Sequence, residues 1–188
     1  MTQKQERKFY LKHFRSICHA IATYEDLNML TDHLCEGTSR RFKAKGCSIM
    51  LLDERDHQLY PVSSYGISDK YLNKGPIFMD DKHSEIYSSE PVFVEDMQND
   101  PRVQYPQAAT AEGIIAMLSI PIKCREAIIG VLRIYHNEAI IIHQEDIETL
   151  CVMSENLGLV IENNGLKNFL EGVSAALESL PPRMLKDL

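Results

Sequence analysis

The chain has 188 residues, within the usual range for one domain with flanking helices. Forty-four per cent of them are hydrophobic and 25% charged, enough apolar material for a real core. Acidic residues outnumber basic ones 27 to 20, for a net charge of −7 and a pI near 5.5, which argues against a nucleic-acid binder. The longest basic cluster, Arg40, Arg41, Lys43 and Lys45, closes a predicted helix, where it complements the helix dipole.

No run approaches the ~18–20 apolar residues of a membrane helix. The polar stretch from Met1 to Lys12 lacks the apolar core of a signal peptide, so the expected location is cytoplasmic, with no membrane partner. The five cysteines (Cys18, Cys35, Cys47, Cys124 and Cys151) are odd in number, widely spaced and without a CxxC pair. They read as reduced, partly buried thiols. Cys18 and His19 are adjacent, so on a helix they point about 100° apart, and no metal site is expected.

In chain order, residues 6–22 carry Phe9, Phe14, Ile17 and Ile21 at helical spacing. Leu27, Leu30, Leu34, Thr38 and Phe42 mark a second helix, with Gly46 expected to terminate it. Cys47 to Asp53 and Gln58 to Tyr65 flank a polar turn and read as a hairpin. Pro61 requires an edge or a bulge in its second strand.

From Gly66 to Gly113 the reading is mixed. Short helices are expected at Asp69–Asn73, Lys82–Ser89 and Val103–Glu112, with a brief strand at Pro91–Val94. Irregular segments of this length are often functional. Ile114–Lys123 and Ala127–Tyr135 are apolar at nearly every residue and should be central strands covered on both faces. A last helix runs from His143 to Leu180, ended by Pro181 and Pro182. Its apolar stripe changes phase at Asn163, Asn164 and Gly165, so the helix either breaks there or absorbs a stutter. These elements make an α+β domain, with helices on one face of an antiparallel sheet and the irregular middle over the other.

Gly46 to Asp53 (GCSIMLLD), Ser64 to Leu72 (SYGISDKYL) and Asp100 to Ala109 (DPRVQYPQAA) resemble successive segments of GAF domains. So do Met117 to Ile122 (MLSIPI), Ile129 to Tyr135 (IGVLRIY) and Gln144 to Leu150 (QEDIETL). The resemblance implies a PAS-like fold: a central antiparallel sheet of about six strands, terminal helices on one face, and short helices and loops covering a small-molecule pocket on the other. It also implies a sensory domain of a signalling protein that dimerises through its terminal helices. The organisation that follows is a flanking helix over residues 1–24, the GAF domain over 25–164, and a helical extension over 165–188.

The specialised branches fit poorly. The cyclic-nucleotide branch has an Asn-Lys pair, present as Asn73 and Lys74, but its Asp-Glu after Phe93 is missing. A bilin needs a pocket thiol, whereas Cys18 precedes the domain. Haem would want an axial histidine, and His83 is the sole one in the pocket-covering segment. In a free methionine sulfoxide reductase, Cys47 and Cys124 would have to serve, and Cys47 sits among apolar residues that blunt a thiol. No catalytic residue and no cofactor is therefore expected.

Strand alternation assigns Leu118, Ile120, Ile122, Leu132 and Ile134 to the helix-packed core. The pocket candidates are then Met50, Met117, Ser119, Val131 and Arg133 on the strands, with Phe78, Ile86, Tyr87, Tyr105 and Ala109 from the cover. Arg133 needs a partner in such a strand, either an acid such as Glu112 or Glu95 or an anionic ligand. The expected function is a non-catalytic sensory domain that binds an unidentified small molecule, signals through its helices to a partner protein, and forms a homodimer. The alternatives are a ligand-free dimerisation or interaction module, and the reductase.

Overall fold

The computed structural model describes Arg15, His19, Thr23, residues 26–78 and residues 89–178. The helix expected over residues 6–22, that at Lys82–Ser89 and the stop at Pro181 lie largely or wholly outside the described residues.

Helix α1 (Leu27–Phe42) begins where the Asp26 carboxylate accepts hydrogen bonds from the backbone N–H groups of Asn28 and Met29. It buries Leu30, Leu34, Cys35, Thr38 and Phe42. It does not end at Gly46, as the sequence suggests. Lys43 takes the left-handed conformation at φ 51°, and its N–H returns to the Arg40 carbonyl. Gly46 instead opens strand β1 (Gly46–Asp53), where a Cβ would lie 2.5 Å from the Tyr65 carbonyl oxygen. Glycine is there for close packing, not for a helix stop.

Strand β2 (Gln58–Tyr65) returns antiparallel to β1, and the register slips between Ile49 and Met50, opposite Pro61. The expected bulge is therefore present. Helix α2 (Asp69–Leu72) and the two-residue strand β3 (Ile77–Phe78) follow; β3 pairs with Gln58 and Leu59. Two residues are too few to show a period, and the sequence reading missed it. Strand β4 (Val92–Val94), helix α3 (Pro106–Glu112), and the hairpin of β5 (Ala116–Cys124) and β6 (Ala127–His136) come next. The hairpin turns at Arg125, φ 56°.

All six strands form one antiparallel sheet in the order β3-β2-β1-β6-β5-β4. β1, β6 and β5 lie inside it, so the near-continuous apolar runs of β5 and β6 are covered on both faces. One core joins Leu118, Ile120, Ile122, Leu132 and Ile134 to Leu30, Leu34 and Phe42 of α1 and to Leu150, Met153 and Leu157 of the last helix. A second core on the opposite face joins Met50, Met117, Val131 and Tyr135 to Tyr71, Ile77, Met97, Ala109 and Ile114. The alternation read from the strands holds at every residue it assigned to the helix side.

Helix α4 (Gln144–Glu178) is one continuous helix of 35 residues, so Asn163, Asn164 and Gly165 do not break it. Its first half packs on the sheet; Leu166, Phe169, Leu170 and Val173 beyond are exposed. Among the described residues, no helix is long and apolar enough to cross a membrane.

Candidate functional site

The site lies on the sheet face opposite α1 and α4. Antiparallel register sets Ser48 of β1, Arg133 of β6 and Ser119 of β5 in one row across the sheet. Directly opposed residues share a face, so all three stand on the pocket side. Arg133 is only 5% exposed, and its charge is expensive to hold among Met117, Val131 and Tyr135. Two residues on, the Tyr135 hydroxyl lies 3.0 Å from Ser48 Oγ. Burial pushes the Tyr135 phenol above its ordinary pKa, and the Arg133 charge, with hydrogen bonds from Ser48 and Arg133, offsets only part of that.

The cover comes from α2 and the segments before α3. Tyr71 of α2 meets Tyr135 edge to face, with ring centroids 5.7 Å apart. Just past α2, Lys74 donates from Nζ to the Tyr71 carbonyl at 3.1 Å. Its ammonium lies 4.0 Å from the Tyr71 ring centroid and 6.0 Å from that of Tyr105. Burial, reinforced by the nearby Arg133 charge, lowers the Lys74 pKa from 10.5 to about 8. Tyr105 is tied down by its hydroxyl donating to the Pro76 carbonyl at 2.7 Å. Gln104 exchanges two hydrogen bonds with the Phe78 backbone, fixing this wall to β3. Arg102 is held by Asp100, with Nη2 to Oδ2 at 2.6 Å.

Between these walls is a cleft lined by Tyr71, Lys74, Ile77, Met97, Arg102, Val103, Gln104, Tyr105, Met117 and Arg133. It encloses about 20 Å³, roughly the space of one water molecule. No Asp or Glu among the described residues lines it. Glu112, one acid suggested for Arg133, is engaged elsewhere: it accepts from the Ser68 backbone N–H and hydroxyl and pairs with Lys45. Burial raises the Glu112 carboxyl, but those bonds and the Lys45 charge outweigh it and hold it below the ordinary glutamate range. Glu95, the other, is exposed.

Of the residues expected at a pocket, Tyr105, Met117 and Arg133 line this cleft. Met50, Ala109 and Val131 are buried in the same core without lining it. Ser119 is 1% exposed, and its hydroxyl has no hydrogen-bond partner among the described residues. Phe78 stands at the sheet edge, 40% exposed. Ile86 and Tyr87 lie outside the described residues. Sequence reading missed Tyr71, and it weighed Lys74 only as half of an Asn-Lys pair that it set aside. Their three-residue spacing on a short helical turn was the available signal, since it stacks an ammonium over a ring.

The four described cysteines keep away from the cleft. Cys35 and Cys47 face each other in the helix-side core, where burial pushes the Cys47 thiol well up. Cys151 packs against the same core, and burial raises its pKa. Cys124, at the end of β5, donates to the Glu162 carboxylate of α4, which raises its pKa. No cluster among the described residues could hold a metal ion.

The family model of the GAF domain matches residues 26–161, and the chain belongs to that family. Among curated proteins, no sequence matches it significantly. Solved structures agree on the fold. The GAF domain from a phosphoenolpyruvate-protein phosphotransferase of Coxiella burnetii is similar at TM-score 0.74 and 18% identity, over 84% of this chain and 95% of that one. The corresponding domain from Acinetobacter gives 0.70 and 20%, over 84% and 96%. The free methionine-R-sulfoxide reductase from Neisseria meningitidis, solved in complex with its substrate, gives 0.66 and 15%, over 85% and 95%.

Proposed function

We propose that this GAF domain is a non-catalytic sensory module that holds a small molecule in the cleft and passes its occupancy to the terminal helices. The observation that carries this reading is the cleft itself. Three cations and two tyrosines converge on one cleft of this sheet face, and such convergent polar groups are what a ligand site needs. In this reading the domain works in the cytoplasm as a homodimer and relays its state to a signalling partner. The exposed apolar stripe on α4 supports the pairing.

The reductase chemistry needs a thiolate at the substrate and a second thiol to resolve the intermediate. Neither Cys47 nor Cys124 lines the cleft, and both have raised pKa values, so the cysteines support a non-enzyme. One observation favours a second reading, a ligand-free interaction module: the cleft encloses only about 20 Å³. Native mass spectrometry of protein purified from its own cell separates the two. A retained small molecule is expected. Ligand-free protein that gains none from a cell extract favours the interaction module.

A further inference from the structure

We infer that Lys74 is a covalent capture site: its amine condenses reversibly with the carbonyl carbon of a small aldehyde or ketone held in the cleft. This rests on the ligand-sensing reading and names the chemical class of the ligand. Lys74 Nζ donates to the Tyr71 carbonyl at 3.1 Å and lies 4.0 Å from the Tyr71 ring centroid, so the amine is fixed on the wall of the cleft. Ile77, Met97, Val103 and Met117 give the same cleft apolar walls. An amine among apolar groups and beside another cation is a good nucleophile toward carbonyl carbon, because both neighbours favour the neutral form, whose lone pair is free. Both effects act on Lys74: burial is the larger and the Arg133 charge the second, and together they bring its pKa to about 8. Near pH 7.5 about a quarter of it is then free base, against about 0.1% of an ordinary lysine.

The step balances without an oxidant or a reductant. The Nζ lone pair attacks the carbonyl carbon, a C–N bond forms, and the carbonyl π pair moves onto oxygen. That oxygen takes up the two protons that the amine gives up and leaves as water, so a C=N bond replaces the C=O bond. Hydrolysis reverses the step, which lets occupancy follow the supply of ligand without turnover. The enclosed space, about 20 Å³, is roughly that of one water molecule. It suits a carbonyl group that enters and a water that leaves. The titratable groups that share the cleft with Lys74, among the described residues, are Tyr71 of α2, Arg102 and Tyr105 from the segment before α3, and Arg133 of β6. The described lining from β3 and β5, Ile77 and Met117, does not titrate.

The test treats the purified chain with limiting acetaldehyde and sodium cyanoborohydride, which reduces an imine to a stable secondary amine. Peptide mass spectrometry then reads each lysine separately. At pH 7.5, Lys74 should be alkylated at least about tenfold faster than Lys70, which is exposed on α2. That ratio should fall as pH rises from 8 to about 10, where exposed lysines reach the free base as well. Lys74→Arg, which keeps the charge but forms no imine, should lose the adduct and leave the rate at Lys70 unchanged. Alkylation of Lys74 no faster than that of Lys70, or a ratio that does not change with pH, overturns the inference. Borohydride added at lysis of the protein's own cell supplies the native arm. There Lys74 should carry a secondary-amine adduct whose mass identifies the carbonyl compound. A small molecule retained in the cleft with Lys74 unmodified would overturn the inference and leave the sensory reading intact. With neither an adduct nor a retained molecule, both readings fall.

Discussion

Lys74 carries a pH dependence whose sign is set by its surroundings. In the folded domain burial and the Arg133 charge bring its pKa to about 8, against an ordinary 10.5 in the unfolded chain. Between those values the unfolded chain binds more protons, so the contribution of Lys74 to stability rises with pH across that window. Below pH 8 the buried charge is a standing cost, and the full shift corresponds to about 3 kcal/mol. Lys74→Met removes the cost at every pH. In urea unfolding without added ligand, the variant should therefore be the more stable one at pH 7, with its advantage shrinking as pH approaches 10. Parallel pH profiles for the two proteins would show that the ammonium is not buried as described. None of this could be read from the Asn73–Lys74 pair in isolation. Its charge gains meaning only from Tyr71, Tyr105 and Arg133, contributed by three different segments.

At the scale of elements, helix α4 owes its seat on β5 to one residue. A Cβ at Gly158 would lie 2.0 Å from the Lys123 carbonyl oxygen, and backbone cannot move aside as a flexible side chain can. Two effects compete in Gly158→Ala. Alanine favours a helix interior by about 1 kcal/mol, while overpacking against backbone costs typically 1–3 kcal/mol. The clash should win, and thermal unfolding should show a net loss of up to about 2 kcal/mol. A stabilised variant would mean that α4 rides higher on the sheet. The same helix settles which of the two readings of its periodicity holds, since it absorbs the stutter and does not break. The phase change at Asn163 to Gly165 has the look of a break, but the backbone runs through it. Once the sheet ends there is no surface to hold the stripe in phase, so its shift marks where packing stops rather than where the helix stops.

At the scale of the whole molecule, the 35 residues of α4 span about 52 Å. Its outer half leaves Leu166, Phe169, Leu170 and Val173 exposed, Phe169 at 67%. A continuous apolar stripe of this kind is rarely left to water by a soluble monomer. Pairing across a two-fold axis is the commonest closed solution. Light scattering should therefore return about twice the 21.5 kDa chain mass. A chain truncated after Asn164 should dimerise more weakly, its folded core keeping Leu150, Met153 and Leu157. A monomer at high micromolar concentration would refute the pairing and leave the stripe for another partner.

The sequence by itself determined the two hairpins, the antiparallel sheet they belong to, and the residues of β5 and β6 that face the helices. Alternation along β5 and β6 is enforced by the pleat, and a single residue's slip would expose the whole core. It also singled out Arg133, because a cation in an apolar strand stands out against its neighbours. Only the tertiary structure decided where α1 ends, since a left-handed Lys43 is a local backbone choice that carries no composition signal. The same holds for β3, for the seat of Glu112 on Ser68 and Lys45, and for the meeting of Lys74 with Arg133. Those contacts join residues far apart in the chain, and sequence spacing cannot encode distances that exist only after the sheet has closed and its cover has settled on it.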